Sequence, residues 1–326
     1  MWYRCPYQYF LSRVLKLKDE TLFEPNPLYI GTLVHHFFEM AVKEKGKNYA
    51  DYQEEDIKKA IQPYFNLWMN MYPLKKESYQ LIFDKLIRNL SKTISFLNQY
   101  EANYPELSPL ETEQAFHFLF NQSLQLDGII DRVDYSPSTN EYILYDYKSS
   151  SKNIQLDQYL TGQQLQLMIY KYILEQHNKN VKAGYYVSFL QETIKLDSLQ
   201  FKFNRRSVQE EPMDYYDDNL LSQKQLELNS LSGWKESDDK SIYNKNSITS
   251  KNFPFSFDQL NTITSVLIDQ FHKELQKGTI QREPQNCSFC LYRRICNFKG
   301  SASNQPYPSG IESLLNQEEG VQSEHE

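Results

Sequence analysis

Asp146 and Lys148 stand two residues apart in the β-prone run Tyr142-Ile-Leu-Tyr-Asp-Tyr-Lys-Ser-Ser150. Side chains alternate faces along a strand, so the acid and the amine share one face while Tyr145 and Tyr147 take the other. An acid so placed can hold a divalent cation, and the amine beside it can steer the water that the cation activates. A second carboxylate, Asp131, lies in the preceding run Leu126-Asp-Gly-Ile-Ile-Asp-Arg-Val-Asp134. Ser136-Pro-Ser-Thr-Asn140 between the runs reads as a turn, so the two form a hairpin that brings Asp131 near Asp146. A solvated ion pair is the commoner fate of an Asp/Lys couple on a strand; the second carboxylate is what points to a cation.

Two further groups of polar residues carry helical spacing. His35 lies in Gly31-Thr-Leu-Val-His-His-Phe-Phe-Glu39, with Glu39 one turn on, where it could orient the imidazole or sit beside it over the same cation. Gln166 and Tyr170 are also one turn apart, just beyond the Asp/Lys strand. Such a pair is usually the wet face of a helix, but beside a site it could hold the lysine or a phosphate in place.

The cysteines form a second signal. Cys5 stands alone near the start, and Cys287, Cys290 and Cys296 cluster near the end. Three thiols so close together, in a chain read as cytoplasmic and therefore reduced, favour metal over disulfide. The total of four matches one tetrahedral zinc or one iron–sulfur cluster, and spacing within the trio does not decide between them. If all four are ligands, the metal ties the two ends of the chain together and contributes to folding.

Apolar periodicity supplies the elements that must position these groups. Residues about 31–46, 53–71 and 78–103 read as three helices. Pro105 and Pro109 break that pattern, and the alternation of Phe116, Phe118 and Phe120 opens a β region that runs to Lys148. A helix is expected from about Gln155 to Gln176, then a strand over Ala183–Leu190 with a partner near Leu199–Phe203. The polar stretch 207–255 reads as a surface insertion, residues from Phe257 to Lys277 as an amphipathic helix, and 301–326 as a disordered acidic tail.

The 326 residues suffice for a substantial core, and 25 Tyr with 19 Phe make the chain unusually aromatic. No stretch approaches the roughly 20 apolar residues that span a bilayer, and the first residues lack the apolar core of a signal peptide, so a cytoplasmic location is expected. A net charge of -7 argues against a nucleic-acid partner. Much of the acid, however, lies in two places: Glu210, Glu211, Asp214, Asp217 and Asp218 in the polar stretch, and Glu312, Glu318, Glu319, Glu324 and Glu326 in the tail. Without them the remainder is mildly basic, which permits DNA binding.

The order Gly31-x3-His35, Gly128-Ile-Ile-Asp131-Arg, Asp146-Tyr-Lys148-Ser and Gln166-x3-Tyr170 resembles the RecB-like branch of the PD-(D/E)XK nucleases. Cys5-Pro-Tyr-Gln-Tyr-Phe-Leu and Cys287-Ser-Phe-Cys-Leu-Tyr-Arg-Arg-Ile-Cys-Asn-Phe298 resemble its iron–sulfur subgroup, which includes the AddB-type subunits of bacterial helicase–nuclease complexes. The resemblance spans roughly residues 1–300. It implies one nuclease domain with an α/β, restriction-endonuclease-like core, a mixed sheet flanked by helices. Added helices and an iron–sulfur cluster joining the N- and C-terminal segments lie outside that core.

The resemblance also implies roles. His35, Asp131, Asp146 and the backbone carbonyl of Tyr147 are expected metal ligands for Mg²⁺ or Mn²⁺. Lys148 is expected to position or polarise the attacking water, Gln166 and Tyr170 to support the site, and Cys5, Cys287, Cys290 and Cys296 to hold a [4Fe–4S] cluster. Glu39 stays a candidate only. The implied activity is metal-dependent DNA hydrolysis, trimming ends in recombinational repair with a helicase subunit as partner and no membrane. A non-catalytic iron–sulfur module that binds DNA or docks within such a complex is the alternative. In AddB-type proteins a domain of this kind follows a large helicase-like portion.

Overall fold

Ile57, Ile61, Phe65 and Trp68 recur at helical spacing, and in the computed structural model they form the buried stripe of one helix, capped where the Gln53 amide donates to Asp56. The structure describes residues 1–17, 27–150, 152–189, 231–237, 247–249, 257–287, 290–300, 307–308, 310–311 and 314. A short α1 (Pro6–Tyr9) is followed by the helices α2 (Pro27–Lys45), α3 (Glu54–Met71) and α4 (Lys76–Glu101). Three strands come next, β1 (Ser108–Asn121), β2 (Leu124–Ser136) and β3 (Glu141–Lys148). Then come α5 (Leu156–Leu160), α6 (Gln166–Gln176), β4 (Val181–Ser188), β5 (Ser232–Lys235), β6 (Ile248–Thr249), α7 (Gln259–Gln276) and α8 (Arg293–Cys296).

The strands make one mixed sheet in the order β1-β2-β3-β4-β5-β6. Antiparallel β1, β2 and β3 follow one another directly, and Asn140 takes φ +55° in the turn between β2 and β3. β3 and β4 are parallel, joined by a crossover through α5 and α6, while β5 runs antiparallel to β4. The sheet separates two cores. Tyr145, Tyr147, Tyr185 and Val187 pack with α2, α3 and α4 on one side, and Leu144, Tyr186 and Trp234 pack with α5, α6 and α7 on the other. The alternation expected along β3 is therefore what the strand adopts. The fold is an α/β mixed sheet flanked by helices, as expected.

Four details differ from the sequence reading. β1 opens at Ser108, ahead of the Phe116 alternation and across Pro109. The helix expected over Gln155–Gln176 is two helices, because Gly162 takes φ +78° and a Cβ there would lie 2.4 Å from the Tyr3 ring. Within 207–255, expected to be a surface insertion, β5 and β6 are buried members of the sheet, since the Trp234 indole fills the space that Gly184 leaves. In the tail, Ile311 is fully buried and Tyr307 bonds Asp157, so apolar residues at positions 307, 311 and 314 return to the core beside α7. The strand expected near Leu199–Phe203 lies outside the described residues.

Candidate active site

The β2–β3 hairpin, α2 and α6 bring the candidate residues into one connected set. Asp131 Oδ2 accepts the backbone N–H of Tyr147 at 2.7 Å, so the carboxylate of one strand is locked to the middle of the next. Asp146 has no solvent exposure. Its Oδ1 accepts from Gln166 Nε2 at 2.6 Å, and its Oδ2 is ion-paired with Lys148. Gln166 opens α6 and serves three neighbours. Its Oε1 accepts from Lys148 Nζ at 3.0 Å, and its Nε2 also donates to Tyr170 Oη at 2.9 Å. Tyr170 Oη in turn donates to the Ile129 carbonyl at 2.7 Å, which ties the helix back to β2. Gln166 and Tyr170 are thus not a wet face but a brace between helix and sheet.

His35 reaches the same place from α2, which buries Val34, Phe37, Phe38 and Ala41 against the sheet and leaves the imidazole at its margin. Its Nδ1 lies 3.2 Å from Asp131 Oδ1 and 3.7 Å from Glu113 Oε1. His35, Glu113 and Asp131 converge closely enough to share one metal ion. Glu113 escapes the sequence reading because it sits inside a long strand run with nothing at a fixed distance from His35. Its φ of +49°, unusual within a strand, is a local irregularity that spacing does not reveal. Glu39, held as a candidate, turns away and pairs with Lys43 at 2.5 Å and His36 at 3.6 Å, since an i,i+4 cation on the outer face is its nearest partner.

Arg132, between the two acids of Asp131-Arg-Val-Asp134, points to the opposite side of the sheet. It is ion-paired with Asp134 at 2.6 Å and Glu101 at 2.8 Å, and its guanidinium lies over the Tyr49 and Tyr145 rings. This fully buried cluster fixes β2 against α4, and with it the strand that carries Asp131.

The electrostatics of the site favour a cation. Burial pushes the Asp146 carboxyl up to about 6, helped by the charge of Asp131 and opposed by Lys148. Burial pulls His35 down, but hydrogen bonds to Asp131 and Glu113 and the charges of Asp131 and Asp146 outweigh it and carry the imidazole up to about 10. Hard oxygens with one imidazole suit Mg²⁺ or Mn²⁺.

The four cysteines, all free thiols, line a single cavity. Two backbone hydrogen bonds join the segments that carry them, Tyr7 N–H to the Gln281 carbonyl at 3.1 Å and Gln285 N–H to the Arg4 carbonyl at 2.9 Å. Burial raises the Cys5 thiol, backbone amides of Gln8 and Tyr7 lower it, and the neighbouring Cys296 and Cys290 raise it further. Four soft sulfur donors around one space fit a metal or cluster. Among the described residues no helix is long and apolar enough to cross a membrane.

A family model described as the PD-(D/E)XK nuclease superfamily matches residues 2–297. Among curated proteins the chain is similar to an ATP-dependent helicase/deoxyribonuclease subunit of Lactococcus lactis subsp. cremoris, 22% identical over 92% of this chain and 28% of the relative. The subunit of the same name from Carboxydothermus hydrogenoformans is 26% identical over 91% of this chain and 30% of its own length. That of Clostridium perfringens is 24% identical over 93% and 30%. The chain therefore spans less than a third of the length of these relatives.

Proposed function

The chain belongs to the PD-(D/E)XK nuclease superfamily, and on that premise we propose that it is a metal-dependent deoxyribonuclease that trims single-stranded DNA ends in recombinational repair, as the nuclease part of a helicase–nuclease assembly. The names of the relatives support DNA as substrate and a helicase as partner. One observation carries the reading: the Asp131 carboxylate of β2 is held by the Tyr147 N–H, between Asp146 and Lys148 of β3, and its charge raises the Asp146 carboxyl that pairs with Lys148.

In this reading residues 1–300 form the nuclease domain. His35, Asp131, Asp146 and the Tyr147 carbonyl hold the ion, with Glu113 at its edge. Bound there, Mg²⁺ or Mn²⁺ supplies charge neutralisation for the phosphodiester and acidifies water. Lys148, a quarter exposed, offers its ammonium to the scissile phosphate or to the attacking water. Gln166 holds Lys148 and Asp146 at once, so the acid and the amine keep their separation as the substrate enters. Tyr170 positions Gln166 through the Ile129 carbonyl. Cys5, Cys287, Cys290 and Cys296 hold a [4Fe–4S] cluster with a structural role.

The test is cleavage of end-labelled single-stranded and duplex DNA by anaerobically purified protein with Mn²⁺ or Mg²⁺, beside Lys148→Ala. The expected result is metal-dependent shortening from an end, lost in the variant. Tight DNA binding with no cleavage by folded wild-type protein would replace this reading with that of a docking module.

A further inference from the structure

Beside the site lies a second concavity that the proposed chemistry does not use. It is a cavity of about 420 Å³, large enough for a small-molecule group, and it shares Gln166 and Tyr170 with the site as part of its wall. The rest is mostly apolar: Trp2, Phe116 and Phe271 line it together with aliphatic side chains, and Gln163 and Asp127 are polar members of the wall. The rings are fixed by edge contacts, Phe116 to Tyr170 at 5.8 Å and Trp2 to Phe271 at 5.9 Å. Gln163 is also in the wall of a polar recess with Arg4, Gln8, Gln158, Asn286 and Cys290, so the aromatic cavity adjoins a polar one that offers the Arg4 guanidinium to an anion and borders the cysteine cavity.

Positive charge follows the same route. Lys148 and Lys152 lie over one ring, that of Tyr186, at 5.6 and 5.7 Å, and Arg4 is exposed at the recess. Lys152 is pushed down by burial and then by the neighbouring charges of Lys148 and Arg4, so the three cations form one strip leading away from the site. Such a strip suits a polyanion, and aromatic faces beside it suit flat rings carried on that polyanion.

We propose that this cavity receives an unpaired nucleobase next to the scissile phosphate, while Lys152 and Arg4 hold the adjoining phosphates. The inference rests on the nuclease reading above and adds a nucleobase subsite to it: a base in the cavity has left its stack, which accounts for a preference for single strands over duplex.

The test is binding of a fluorescent oligothymidylate to the full, metal-free chain at low salt, read by anisotropy. A single reduced abasic residue is placed at each position of the strand in turn. The expected result is a loss of about tenfold in affinity when the abasic residue occupies one register and little elsewhere. Arg4→Glu and Lys152→Glu each weaken binding by about tenfold as well, and a duplex of the same sequence binds more weakly than the strand. Phe271→Ala reduces the register effect, and the abasic scan stands without it if that variant does not fold. An abasic scan with no position dependence, while Mn²⁺-dependent cleavage persists, overturns the inference and leaves the nuclease reading intact. Register-specific binding by wild-type protein that never cleaves leaves the inference standing and overturns the nuclease reading.

Discussion

Asp146 occupies a position that is costly without a cation: its carboxylate is sealed from water and feels the charge of Asp131, and Lys148 and His35 offset this only in part. Its carboxyl is raised from 3.8 to about 6, above the unfolded value. The stability tied to its proton is therefore complete below the unfolded pKa and is lost as pH rises through about 6. In metal-free protein, Asp146→Asn, which cannot ionise, should melt higher than wild type by a margin that grows between about pH 4 and 6. Added Mn²⁺ should raise the wild-type melt and leave the variant nearly unmoved; a flat difference across that window would place the strain elsewhere. Glu113 and Glu39 separate the site from its surroundings. Glu113→Gln removes a charge 3.7 Å from His35 and should lower the affinity for Mn²⁺ by about tenfold, read from the metal dependence of cleavage. Glu39→Gln breaks only outward pairs with Lys43 and His36 and should leave cleavage within about twofold of wild type.

At the level of elements, the β2–β3 hairpin and α2–α4 are legible in the sequence, because each follows from a local pattern: a turn between two β-prone runs, or apolar residues at helical spacing. The shared face of Asp146 and Lys148 follows from strand geometry alone. What local pattern could not supply is set by distant contacts. The break between α5 and α6 exists because the Tyr3 ring occupies the place of a Gly162 side chain, and β5 is buried because Gly184 admits the Trp234 indole. Glu113 joins His35 only once α2 lies across β1. Gly162→Ala must therefore meet both a left-handed backbone and the Tyr3 ring, and should cost roughly 2–4 kcal/mol in chemical denaturation. Arg132→Ala leaves Asp134 and Glu101 buried without their counter-ion on the far side of the sheet, a loss of about 3–5 kcal/mol. If Arg132→Ala unfolded at the wild-type denaturant concentration, the buried cluster would not be what anchors β2.

Across the whole molecule, the two ends of the chain meet, and the first of them also lines the cavity walled by Gln166 and Tyr170. Tyr3 donates to the Leu267 carbonyl on α7, Gly162 receives its ring, and the Cys5 segment pairs with residues 281 and 285. The N-terminal stretch is thus one wall of the aromatic cavity and one side of the cysteine cavity, so anything that releases it opens both. A cluster on Cys5, Cys287, Cys290 and Cys296 would close a loop of almost the entire chain. Chain-entropy reasoning for cross-links puts such a closure at about 5 kcal/mol, several times any single surface contact. Protein prepared without oxygen should be brown and carry iron and sulfide, whereas a zinc site on the same thiols gives a colourless protein with one equivalent of zinc. Cys290→Ser should lose the colour and melt lower. His35, Asp131, Asp146 and Lys148 stand on α2, β2 and β3, and among the described residues no cysteine belongs to the two cores that pack them, so short substrates should still be cleaved below the lowered melt. Binding of longer single strands should fall with the loss of the wall. If colour, iron and melt all survived in Cys290→Ser, the thiols would not be ligands, and the meeting of the two ends would rest on backbone pairing and aromatic packing alone.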